Sequence, residues 1–443
     1  MSPNLTDPRL NLLRNQNKVV PNILYGYPLR KWTRFAVVPS LLVVLMGLYA
    51  GSSQSAVQRP SAPGKVNPRA PHQRDGVAEA RLIEILRLIG MAGTRNALSK
   101  AEKLVSDFPN FQLAQLVYGD LLATRSRSIQ GIGDVPPEIA ESAKQNLLAL
   151  RSESALRIAA IKQRPPINSI PTQFVALSKR NKHAIAVDTA KARLYLFENN
   201  GSEMKLLADY YISVGKQGVG KNVEGDQRTP LGVYFVTSNL DPKSLKDLYG
   251  SGALPVNYPN ILDLRRGKTG SGIWLHGTPS NQFTRAPQAT DGCVAVANPD
   301  LERIINTVEI RTTPVVIGQN LNWVLPSNLT NQKQVFADML QTWASSKRRG
   351  RESEFLRFYA PDFGVADMDL NKFSESLKAD LKRTDNRPVT IKDISLIRWT
   401  DEADTMVATF GEVRDGDAVG RTIRQYWQRR SSGWKIIYEG VVG

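Results

Sequence analysis

Cysteine and histidine are scarce in this 443-residue chain: there is one cysteine, Cys293, and there are three histidines, His72, His183 and His276. A single thiol excludes an intrachain disulfide framework, so pairing says nothing about the redox compartment. Residues 333–443 hold no histidine and no carboxylate–histidine constellation, which removes the basis for metal chemistry there. There is no basic stripe interleaved with aromatics and no nucleic-acid motif, so nucleic acid is not an expected partner. Long uncharged apolar runs are also missing, with the exception of Phe35–Ala50.

What is present gathers around the lone thiol. Trp274-Leu275-His276-Gly277 is followed, after a loop, by Thr290-Asp291-Gly292-Cys293. Free cysteines are most often inert core residues. A thiol nucleophile, by contrast, needs a base that takes its proton near neutral pH, and imidazole is suited to that. The intervening loop is long enough to bring two strand ends together, so both readings of Cys293 stand on composition alone.

The net charge of +17 is unevenly spread, with ten Lys/Arg against Asp7 and Asp75 in residues 1–76. That distribution suits attraction to anionic headgroups or an anionic wall polymer. Phe35–Ala50 follows Arg30, Lys31 and Arg34 and is expected to be an uncleaved transmembrane anchor, with a cleaved signal segment as the alternative; residues 1–34 would be cytoplasmic and the rest outside. Residues 51–76 carry four prolines and no apolar periodicity, as a linker does. In polyproline geometry they would reach up to about 80 Å.

Three folded units are expected beyond the linker. Residues 77–165 show helical periodicity (Leu82, Ile83, Leu86, Ile89, then Ala97, Ala101, Leu104), broken at Phe108-Pro109-Asn110. A small all-α domain used for docking a partner or a second copy is the reading. Residues 173–320 switch to short β-type runs, with Asn199-Asn200-Gly201 as a hairpin turn. Residues 333–443 place helices before an antiparallel meander, an α+β pattern.

From about residue 182 to 319 the chain resembles the catalytic domain of the L,D-transpeptidases, YkuD-type cysteine enzymes of peptidoglycan. The marks are His276-Gly277, Thr290-x-Gly292-Cys293 and, upstream, Gly225-Asp-Gln-Arg-Thr-Pro-Leu-Gly232. The resemblance implies a mostly β fold needing no metal or other cofactor. Cys293 would be the nucleophile and His276 the general base. The Gly277 carbonyl would orient the imidazole, and backbone N–H groups around Gly292 and Cys293 would form the oxyanion hole. Thr290 either steadies the loop or binds substrate, and Trp274 is either core or subsite wall. Arg285, Arg228, Arg265 and Arg266 either meet stem-peptide carboxylates or are solvated charges. The Gly225–Gly232 segment is read mainly as turn chemistry. The pattern departs at Asp291, often His in the family, and at Ala295, often Arg or Asn, with Asn298, three residues out of register, as a possible substitute. The C-terminal unit resembles NTF2-like cone domains, with Trp343, Tyr359, Trp427 and Trp434 either lining a pocket or forming its core. The resemblance implies a periplasmic, inner-membrane-anchored transpeptidase of a Gram-negative bacterium acting on peptidoglycan stem peptides. L,D-carboxypeptidase or amide hydrolase action on the same stems is the alternative, and a silent wall-binding scaffold is a third reading.

Overall fold

The computed structural model describes residues 76–349, 352–365, 368–383 and 387–442. The expected anchor and linker therefore lie outside the described residues. Among the described residues, no helix is long and apolar enough to cross a membrane.

Helices Val77–Gly90, Thr94–Asp107 and Gln112–Ala123 pack through Leu82, Ile85, Ala97, Ala101, Leu104, Leu113, Val117 and Leu121. The buried face differs from the expected one at its end: Ile85 is buried, whereas Ile89 projects past the partner helix and is 41% exposed. Pro137–Ser142 and Lys144–Lys162 complete the helical unit. The Phe108-Pro109-Asn110 break falls between the second and third helices, as proline chemistry requires.

The β unit is a nine-stranded sheet. Its path runs Gly232–Phe235, Pro314–Gly318, His183–Asp188, Arg193–Asn199, Met204–Gly215, Val294–Val296, Trp274–His276 and Ala253–Pro255. Gln288–Thr290 lies off this path, alongside Met204–Gly215. A bridge between Val236 and Val256 draws the two edges together. Ile185, Leu194, Tyr210, Ile212, Leu275, Val294, Val296 and Ile317 fill its interior. The near-continuous apolar runs of these strands reflect burial on both faces.

In the C-terminal unit, helices Thr330–Arg349, Glu352–Leu356 and Leu370–Arg383 cover the meander of Val389–Thr400, Asp404–Arg414, Arg421–Arg430 and Gly433–Val441. A fifth strand, Phe174–Ala176, joins it from the segment just before the β unit. Those residues were expected in the catalytic domain, and three apolar positions without a turn signal give no hint of which sheet they extend. A second apolar cluster, including Phe174, Phe197, Phe235, Val407 and Tyr426, joins the two sheets. Trp343, Tyr359 and Trp427 are buried in the core of the C-terminal unit, so these aromatics fill the cone; Trp434 is half-buried beside Phe336.

Candidate active site

The Trp274–His276 and Val294–Val296 strands are parallel neighbours, with Val294 opposite Leu275 and Ala295 opposite His276. Cys293 precedes its strand by one residue, so its side chain shares a face with Ala295 and lies one diagonal step from His276. Ala295 is buried and paired on both sides, with His276 and with Ser213. A longer side chain there would rise from the sheet between the His276 and Ser213 side chains.

His276 is 2% exposed, and its Nδ1 is 2.6 Å from the Gly277 carbonyl. A carbonyl only accepts, so Nδ1 carries the proton and Nε2 presents a lone pair. Burial pushes the imidazole down to about 4, against the opposing pull of the Gly277 carbonyl. Cys293 is half-buried, with Sγ 3.4 Å from the Gly272 carbonyl. Burial pushes its thiol up to about 11, with Asp291 adding to the shift and the Trp274 N–H, Lys221 and Arg285 opposing it. Both groups are therefore neutral at pH 7, a pair suited to proton transfer during attack rather than to a standing ion pair.

Two glycines are fixed by close approach. A Cβ on Gly277 would fall 2.1 Å from Asn298 Oδ1 and 3.0 Å from the Tyr249 carbonyl. Gly292 has φ +126°, and its Cβ would lie 2.8 Å from the Arg228 carbonyl. Both the backbone conformation and the space exclude a side chain there. Gly292→Ala is expected to cut thiol acylation by at least tenfold, with secondary structure unchanged by circular dichroism; an unimpaired rate would show that the loop tolerates the shift.

The remaining candidates separate clearly. Thr290 is buried; its hydroxyl donates to the Cys293 carbonyl at 2.7 Å and accepts from the Gly292 N–H at 3.2 Å. It braces the loop, and both its bonds are used within it. Arg228 is exposed and donates to the Val219 carbonyl at 3.0 Å, while its backbone abuts Gly292. Arg265 and Arg266 bond Asp362 and Asp401 of the C-terminal unit and act as fasteners. Arg285 is half-buried and carries no side-chain hydrogen bond or salt bridge among the described residues; its charge acts on His276, Cys293 and Asp291. Trp274 is half-buried against Tyr249, ring centroids 4.8 Å apart. Asp291 is exposed and paired with Lys216 at 2.9 Å.

The Gly225–Gly232 segment is turn chemistry. Asp226 accepts from Lys221 Nζ and from the Asn222, Val223 and Arg228 N–H groups. These bonds outweigh burial and hold its carboxyl down at about 2. Thr229, fully buried, accepts from the Gly215 N–H. His183 is bonded to Glu309 at 3.0 Å, away from the site.

The roles of two residues escaped sequence reasoning. Tyr249 stands edge-on to His276 at 5.2 Å, and its carbonyl accepts from the Gly277 N–H. Asn298, considered as a polar substitute beyond Ala295, is a staple: Oδ1 accepts from the Ser251 and Thr278 N–H groups and Nδ2 donates to the Thr278 carbonyl. Neither lies in a motif; only the fold brings them to the histidine.

A buried imidazole locked by its own chain, one step from a thiol on the parallel neighbour strand, has the layout of a thiol–imidazole acyl-transfer site. Residues 182–317 match the L,D-transpeptidase catalytic domain, YkuD, and residues 335–440 match the Cds6 C-terminal NTF2-like domain. Residues 182–317 thus carry a YkuD-type L,D-transpeptidase catalytic domain, and an NTF2-like domain follows it at residues 335–440. Among solved structures, Bdellovibrio bacteriovorus Bd1075 is 24% identical and has a TM-score of 0.54, covering 62% of this chain and 98% of its own. The helical cell shape determining protein Pgp2 of Campylobacter jejuni is 23% identical with a TM-score of 0.49, covering 61% of this chain and 96% of its own. The first of these is a likeness of fold. No curated protein matches the chain.

Proposed function

We propose that this protein is a periplasmic, membrane-tethered L,D-transpeptidase that modifies peptidoglycan stem peptides through a thioester on Cys293. The observation that carries this reading is the locked tautomer of His276, which leaves Nε2 an acceptor on the strand parallel to the one that Cys293 leads into. Nε2 takes the Sγ proton as sulfur attacks the carbonyl between a diaminoacyl residue and terminal D-Ala. The Gly292 N–H is already given to Thr290, so the Cys293 N–H is the donor proposed for the oxyanion. The imidazolium then protonates the D-Ala nitrogen, the C–N bond breaks and the thioester remains. An incoming amine displaces sulfur, giving its proton to Nε2, and the thiol is restored.

Purified protein incubated with tetrapeptide muropeptides is expected to gain the mass of the tripeptide acyl group at Cys293 and to release cross-linked dimers. Cys293→Ala abolishes both. Free tripeptide as the sole product would replace transfer by hydrolysis, and wall chemistry unchanged in Cys293→Ala would leave the scaffold reading.

A further inference from the structure

The helical unit reaches into the active-site loop. Phe283, between base and thiol, sits 7% exposed in the helical core, 4.5 Å from Phe111 and 5.2 Å from Phe108 by ring centroids. Its N–H donates to the Asn110 carbonyl, and Asn110 Nδ2 donates to the Ser280 carbonyl. The next residue, Thr284, donates to Glu153 Oε1 at 2.9 Å. The Arg285 carbonyl accepts from Tyr211 Oη at 3.0 Å. Anchors at Ser280, Phe283, Thr284 and Arg285 therefore fix where the Arg285 side chain starts.

Between this loop and the helix Lys144–Lys162 lies a crevice of about 210 Å³, lined among others by Gln112, Asn146, Glu153, Gln282 and Arg285. Glu153 is 2% exposed. Its Oε1 takes both Arg157 bonds and that from Thr284, whereas Oε2 has no hydrogen bond among the described residues. Arg285 is likewise without a hydrogen bond or salt bridge, and its charge acts on Cys293. Glu153, with one carboxylate oxygen unbonded, and half-buried Arg285, with no hydrogen bond or salt bridge among the described residues, thus line one small crevice against the loop between base and thiol. Left alone, each costs desolvation that a ligand charge of opposite sign would offset.

We infer that this crevice is a donor subsite for a zwitterionic amino-acid head, with Arg285 holding its carboxylate and Glu153 its ammonium. The ligand is the free end of the stem's diaminoacyl residue, whose other end is the acyl group passed to Cys293. This rests on the stem-peptide reading above. The amides of Gln112, Asn146 and Gln282 supply neutral hydrogen bonds around the head. The helical unit is then one wall of the active site. Burial pushes the Glu153 carboxyl up, and a bound ammonium works against that shift.

The test compares thioester formation at Cys293, as kcat/KM by mass spectrometry, for three tetrapeptide stems. One has the diaminoacyl end free, one has its carboxylate amidated, and one has its amine acetylated. In the wild type each block is expected to slow acylation about ten- to hundredfold, the worth of one charge-assisted hydrogen bond. Arg285→Gln removes the penalty for amidation alone, and Glu153→Gln the penalty for acetylation alone. Each penalty is a ratio within one protein, so a general loss of activity cancels; Arg285→Lys restores part of the first. Wild-type rates equal for all three stems, or penalties unchanged in both variants, overturn the proposal. So does an acetylated stem that acylates normally and fails only as acceptor. Absence of thioester with every stem would instead overturn the stem-peptide reading.

Discussion

His276→Ala is expected to lose a factor of about 10² to 10⁴ in acylation rate at pH 7, the worth of a positioned general base. The loss should shrink as pH rises. The wild-type imidazole is neutral above about 4 and the thiol is protonated below about 11. Its rate therefore falls only as pH drops through about 4, and is flat between there and the thiol's own ionisation. In the variant the thiol has no base and reacts through its thiolate fraction, roughly one part in ten thousand at pH 7. That fraction rises tenfold per pH unit, so the variant's rate climbs with unit slope toward pH 11. Iodoacetamide labelling of Cys293, followed by mass spectrometry across pH, reads the same thiolate population without substrate. A variant as flat as the wild type would mean that Cys293 is already ionised at neutral pH. The thiolate would then be held without the imidazole, against the burial that raises the thiol.

The chemistry of the site was legible in the sequence because it is written in adjacent residues. His276-Gly277 and Thr290 to Cys293 each sit on one strand end, and period-2 apolar runs placed those strands at nearly their observed positions. The helices of the C-terminal unit and its meander were legible for the same reason, since each element carries its own periodicity. What escaped was set by distance along the chain. Tyr249 packs on the histidine from 27 residues before it, and Asn298 braces the turn at Thr278 from 22 residues after it, and no local pattern joins them. Arg285 stood out from Arg265 and Arg266 only by its place in the loop between base and nucleophile. Only the fold sets two of them against Asp362 and Asp401 and leaves the third unpaired. The helical unit was read as a separate module because its helices bury their own apolar faces. Its hold on the active-site loop comes from Phe283, which the sequence places in another domain.

That hold depends on a buried charge cluster, and Arg157→Met is expected to break it. Glu79 Oε1 accepts from Arg157 and from Arg193, each at 2.7 Å, joining the first helix to the sheet. Arg157 also donates twice to Glu153 and lies 4.0 Å above the Tyr211 ring, while Arg193 bonds Asp209. All five charged groups are 5% exposed or less. Methionine keeps most of the stem packing but removes the cation from between two carboxylates, and breaking a buried pair costs about 3–5 kcal/mol. The Glu79 carboxyl shows how firmly it is held: despite burial, the two arginines keep it down at about 2. Its contribution is present above the ordinary carboxylate range and is lost as pH falls toward 2. Asp300 has the opposite sign, being pushed up to about 7 by burial and by Glu79. Its ionisation as pH rises through 7 adds another negative charge that Arg157 helps to offset, so the variant should lose more stability at pH 8 than at pH 6. Chemical denaturation at the two pH values measures this, with Asp107→Ala as control. That substitution breaks the exposed Arg81–Asp107 pair and should cost no more than about 1 kcal/mol. Because Glu153 and Tyr211 carry the Thr284 and Arg285 anchors, acylation should fall with stability, and protease cleavage should appear first in the helical unit. An Arg157→Met protein as stable as the wild type would show that the helices are held by their apolar faces alone.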